Sequence, residues 1–163
     1  MGYKPACMAF IWAKLAFRLS LPVASIWAKR QELRIMKTGI PLHASLLEDA
    51  RTIGVRFPER VRLQVVDEVP AIHPVLRFMG RQLGLCSPLT RGMSLRYGIF
   101  IHSSWRGERD LVVHELAHTW QYEKLGGISP FLKLYLYECL VTPGYPFGPL
   151  EQEAITIETK LCR

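Results

Sequence analysis

Residues 110 to 127 read DLVVHELAHTWQYEKLGG, a helical pattern whose apolar stripe is interrupted by His114, Glu115 and His118. Leu111, Val112, Val113, Leu116, Ala117 and Trp120 surround these three titratable side chains, so polar groups stand where a core face is expected. Unpaired polar groups in such surroundings cost free energy, and they call for a partner. Histidines four residues apart project from one helical face about a turn apart, close enough to bind a single ion together. Glu108 and Asp110 suit the positive end of a helix that begins near Gly107, and the Gly126-Gly127 pair suits its end. Roughly 18 residues at about 1.5 Å each give a central helix of ~27 Å.

The spacing is HExxH, and the chemistry gives each position a task. Two neutral imidazoles supply part of a tetrahedron around Zn²⁺, while the carboxylate between them reaches the water in the open position rather than the metal. Zinc lowers that water's pKa toward ~7 and polarises a carbonyl, so Glu115 is expected to take the water's proton and pass it to the leaving amine. Either histidine alone reads as a satisfied core residue; the three together read as a zinc site.

A third protein ligand must come from elsewhere. No histidine follows His118, which excludes the HExxHxxGxxH arrangement and the DNA–protein crosslink proteases, whose third ligand is a downstream histidine. The later carboxylates are Glu123, Glu138, Glu151, Glu153 and Glu158. Glu123 lies five residues on along the same helix and points away. Glu138, in FLKLYLYECL, belongs to a second expected helix. Glu151 opens EQEAITIE, where Pro149 after a turn-rich stretch starts another. A thiol such as Cys139 would be an unexpected ligand in this region.

Upstream, LHASLLEDARTIGV (42 to 55) has helical spacing and stops at Gly54, and VRLQVV (61 to 66) alternates like a strand. After a broken stretch from Pro70 to Pro88, SLRYGIFIH (94 to 102) reads as a second strand entering directly before the HExxH helix. A chain of 163 residues with no repeat and no composition shift implies one α+β core, a small sheet with the HExxH helix and C-terminal helices.

The net charge of +7 is concentrated at the start. Residues 1 to 37 contain Lys4, Lys14, Arg18, Lys29, Arg30, Arg34 and Lys37 against Glu32 alone, and the remainder is nearly neutral, which argues against a nucleic-acid groove. Lys14 and Arg18 interrupt the apolar run, each costing roughly 2.5–3.5 kcal/mol at a bilayer centre, so a membrane span is disfavoured. Residues 1 to 37 therefore read as a basic amphipathic helical arm preceding a domain of residues 38 to 163. Such an arm either packs on the domain or lies at a membrane surface. Cys7, Cys86, Cys139 and Cys162 are far apart, with no CxxC pair, and fit reduced thiols in a cytoplasmic setting.

HELAHTWQY followed at a distance by LEQEAITIE resembles the glutamate zincins (gluzincins), and within them small bacterial HELxHxWQ proteins that end in an EQxA-type helix, some found with contractile injection or type VI secretion systems. The resemblance spans about Met93 to Glu158. It implies a zincin-like metallopeptidase domain, a zinc cofactor and a peptide or protein substrate, with His114, His118 and Glu151 as ligands and Glu115 as general base. It also admits a catalytically weak binding or structural module, an accessory of a secretion system. The related ExxAD pattern carries Asp after the alanine where this chain has Ile155, so Glu158, two turns beyond Glu151, is the candidate to orient a histidine. In zincins a strand beside the metal binds an extended peptide, a place that 94 to 102 takes in chain order. Tyr145, Tyr137 and His102 are the candidate donors to a developing oxyanion.

Overall fold

Alanines and one isoleucine recur at helical spacing in the second half of the first helix, and they decide how it packs. Ala24, Ala28 and Ile35 are fully buried, and Glu32 on the same line is 2% exposed. The computed structural model describes residues 5–70, 90–140 and 144–163, with side chains described from residue 21 onward and Leu140 excepted. The stretch read as broken, Pro70 to Pro88, lies almost wholly outside the described residues, as do the side chains of Phe10, Lys14 and Arg18.

Helix α1 (Pro5–Thr38) leads into β1 (Ile40–Pro41), α2 (Ala44–Ile53), β2 (Arg62–Val66), β3 (Gly92–Leu95) and β4 (Gly98–His102). Three helices complete the order: α3 (Arg109–Leu125), α4 (Ile128–Leu140) and α5 (Pro149–Cys162). The described residues thus form an α+β fold of five α-helices and one four-stranded mixed sheet. Its strand order is β1-β2-β4-β3, with β2 parallel to β4 and the outer pairs antiparallel. Among the described residues no helix is long and apolar enough to cross a membrane.

Alternation along β4 builds a core on each face of the sheet. Ile99 and Ile101 join Leu46, Ala50, Leu63, Val112 and Leu116 beneath α2 and α3. Phe100 joins Ala28, Ile35, Tyr122, Phe131 and Leu150 on the side of α1 and α4. The second half of α1 is therefore part of the core, and residues 21 to 38 pack on the domain.

The segment 94 to 102 is a hairpin rather than one strand. It reverses at Arg96 and Tyr97, where Arg96 takes φ 65°, a conformation side chains other than glycine rarely adopt. Tertiary contacts hold it there. Glu32 of α1 accepts from Arg96 Nε at 2.7 Å and Nη2 at 2.9 Å and from the Tyr97 N–H at 3.3 Å. From the other side, Thr119 Oγ1 donates to the Arg96 carbonyl at 2.7 Å. The turn is clamped between α1 and α3, and β3 becomes the outer strand beside α3.

Candidate metal centre

Helix α3 ends where the sequence stops it, at Gly126 with φ 92°. His114 and His118 lie on its face toward α5, and their ring centroids are 4.8 Å apart. Pro149 at the start of α5 sets the phase of the next turn, which turns Glu151 back toward α3. His114 Nε2 is 3.3 Å from Glu151 Oε1, and His118 Nε2 is 3.5 Å from Glu151 Oε2. Ligand atoms of the three residues all lie within 4.8 Å of one another, so the group could hold a metal ion. A tetrahedron with bonds of about 2.1 Å separates its donors by about 3.4 Å, close to the separation of Glu151 from each histidine.

Both imidazoles turn Nε2 inward because Nδ1 is engaged outside. His114 Nδ1 is 3.0 Å from Glu158 Oε2. His118 Nδ1 is 2.9 Å from Gln121 Oε1, and Gln121 Nε2 donates to the Leu150 carbonyl at 2.8 Å and to Glu153 Oε2 at 2.9 Å. Two acceptors fix which end of the Gln121 amide carries the NH₂ group. Its oxygen therefore faces His118 and takes the Nδ1 proton, which leaves Nε2 as the nitrogen that faces Glu151 and, once deprotonated, offers a metal its lone pair. Two imidazoles and a carboxylate arranged in this way are a donor set that fits a divalent metal ion.

The electrostatics favour a cation. Burial alone disfavours a charged His114, but the hydrogen-bonded Glu151 and the charges of Glu115 and Glu151 outweigh it and hold its pKa at about 9. Burial likewise opposes ionisation of Glu151, yet hydrogen bonds from His114 and His118 keep its carboxyl far below the usual range. Tyr135, on α4, donates to Glu151 Oε2 at 2.9 Å. Burial, then the Glu151 charge, pushes that phenol well above its ordinary range, so it stays a donor.

Glu115 lies beside the group, 5% exposed, and is not among the three ligand residues. Burial pushes its carboxyl above the usual range against the pull of His118 and His114, while Glu151 adds to the rise and the Ser94 backbone lowers it by a hydrogen bond. Strand β3 makes room for it at Gly92, where a Cβ would stand 2.7 Å from Glu115 Oε1. The pairing of the Arg91 carbonyl with the His102 N–H places the backbone groups of Gly92 and Ser94 on the outer edge of the sheet. At Ser94 that edge is taken by α3: its N–H serves Glu115, and its carbonyl accepts from the Tyr122 hydroxyl at 3.2 Å. Within 94 to 102, β4 is an inner strand with no free edge, and the outer-edge position left beside Glu115 is Gly92 on β3.

The other candidates separate clearly. Glu138 accepts from the Leu150 N–H at 2.9 Å and caps α5. Glu153 serves Gln121 and Lys124. Glu123 faces the opposite side, accepting from the Arg56 N–H at 2.6 Å and the Tyr97 hydroxyl at 2.9 Å. Burial pushes the Cys139 thiol up to about 12, with the Glu151 charge adding to the effect. His102 is engaged locally, its Nδ1 accepting from the Ser104 N–H at 3.1 Å. Tyr145 is 49% exposed, and its phenol is raised by burial and then by the charges of Glu151 and Glu115. Sequence reasoning gave no role to Gln121, Tyr135 or Gly92, although Gln121 closes the HELxHxWQ pattern and stands three residues after His118, on the same helical face.

Comparison with family models, with curated proteins and with solved structures gives no match.

Proposed function

We propose that this chain is a zinc-dependent peptidase of the HExxH-plus-glutamate, zincin-like kind. The observation that carries the reading is the pairing of a convergent His114–His118–Glu151 group with a separate buried carboxylate, Glu115, whose pKa is raised toward working pH. When bound, zinc supplies a Lewis acid and an acidified water. Glu115 takes a proton at its carboxylate and returns it to the leaving nitrogen. The Ser94 N–H and the space at Gly92 hold that carboxylate in place, and Tyr135 fixes Glu151. Tyr145, near the site and still a phenol, is the donor toward the developing oxyanion. A short run of peptide pairs with the outer edge of β3.

The occupied edge at Ser94 favours a second reading, in which the same group serves a metal-holding binding module without turnover. Hydrolysis of a quenched peptide library by zinc-loaded protein separates the two. Cleavage abolished by a chelator and by Glu115→Gln supports the peptidase; zinc-loaded protein that cleaves nothing supports the module.

A further inference from the structure

Opposite its buried line, α1 carries a face that the metal centre does not use. At 3.6 residues per turn, Leu33, Ile26, Lys37, Arg30 and Val23 fall within a sector about 80° wide, diametrically across the helix from Ala24, Ala28, Glu32 and Ile35. Val23 is 47%, Ile26 55% and Leu33 53% exposed. Lys29, Arg30, Arg34 and Lys37 are exposed as well, and among the described residues none of the four is in an ion pair. The helix's one acid, Glu32, is buried and committed to Arg96. Every exposed charge between residues 21 and 38 is therefore positive.

We infer that this face of α1 binds the surface of anionic membranes, with the helix lying along the bilayer rather than through it. Interleaved aliphatic and basic side chains suit that boundary, because Val, Ile and Leu enter the acyl layer while Lys and Arg stems reach back to anionic headgroups. A protein partner fits less well, since protein interfaces are depleted of lysine and enriched in aromatic residues, and this face carries Lys37, with Lys29 beside it, and no aromatic side chain. No helix among the described residues is suited to cross, in keeping with surface attachment. The attachment stands independently of the peptidase reading.

The test is co-sedimentation of the full chain with vesicles of phosphatidylcholine alone or phosphatidylcholine mixed with phosphatidylserine, at low and high salt. Binding to the mixed vesicles should fall with salt. It should weaken about five-fold for each of Lys29→Gln, Arg30→Gln, Arg34→Gln and Lys37→Gln, and on the order of several hundred-fold for the four together. Ile26→Ser/Leu33→Ser should weaken it too, with zinc content unchanged. Circular dichroism checks each fold; if the four-fold variant is unfolded, the single substitutions and the salt series carry the same test. Equal binding to both vesicles, indifference to the charge substitutions, or capture of nucleic acid or a protein partner without vesicle binding would overturn the inference.

Discussion

Gln121→Leu tests how the metal centre is held rather than what holds the metal. The substitution removes the acceptor for His118 Nδ1–H at 2.9 Å and both donations from the amide, to Leu150 at 2.8 Å and Glu153 at 2.9 Å. His118 then loses the contact that keeps its proton on Nδ1, and zinc must select one tautomer and ring orientation from several. Loss of such an outer partner weakens metal binding about 10–100-fold, or about 1.4–2.8 kcal/mol. The metal-free fold should lose a further ~1–3 kcal/mol, because Gln121 is fully buried and its bonds to His118, Leu150 and Glu153 are all lost. Gln121→Glu divides these effects: it keeps the acceptor but loses the donors and meets Glu153. It should hold zinc more nearly like the parent while losing the stability. Competition against a chromophoric chelator reads the affinity, and urea midpoints read the fold. A folded Gln121→Leu that binds zinc as tightly as the parent would refute the tautomer argument.

Other substitutions reach neighbouring parts of the same account. Gly92→Ala puts a Cβ 2.7 Å from Glu115 Oε1, so peptidase kcat/KM should fall at least ten-fold through displacement of the base, while zinc stays bound; metal analysis and kinetics on one sample check both. Glu32→Ala leaves Arg96 without its partner in a left-handed turn and should cost about 2–4 kcal/mol in urea unfolding. The pH prediction follows from His114, raised from 6.5 to about 9 in the metal-free protein. A raised pKa means that the proton stabilises the metal-free fold, fully below about 6.5 and progressively less as pH rises through about 9. Zinc must displace that proton, so its affinity should climb by about ten-fold per pH unit over the same window and level off above it. Melting of metal-free protein and zinc titrations across pH 6 to 10 should therefore move in opposite directions.

The helix that carries the chemistry was legible because its signals are local. HExxH spacing, carboxylates at the start and Gly126 at the end are all short-range, and α3 spans Arg109–Leu125 accordingly. Pro149 marked where α5 begins, but the residues alone left Glu138 and Glu151 open; the resemblance chose Glu151, and Glu158, seven residues on, shares its face. The hairpin within 94 to 102 was not. Arg96 and Tyr97 carry none of the Gly, Asn or Asp chemistry of a tight turn, and their geometry is imposed by Glu32 from 64 residues away. The role of Gln121 was missed, though the HELxHxWQ pattern contains it, because an amide on a helix is ordinarily solvated, and only the packed position of Leu150 and Glu153 makes it buried. Gly92 gave no sign of its own, since a glycine's value there lies in the carboxylate that approaches it.

In the proposed site His114, His118 and Glu151 hold one zinc ion and Glu115 does not. The most direct test is the zinc dissociation constant measured side by side for the parent, His114→Ala/His118→Ala, Glu151→Gln and Glu115→Gln. Tight binding of about one zinc should persist in the parent and in Glu115→Gln, weaken markedly in Glu151→Gln because a neutral amide is a poor ligand, and vanish in the double histidine variant. Zinc retained by the double variant, or released by Glu115→Gln and not by Glu151→Gln, would contradict the assignment.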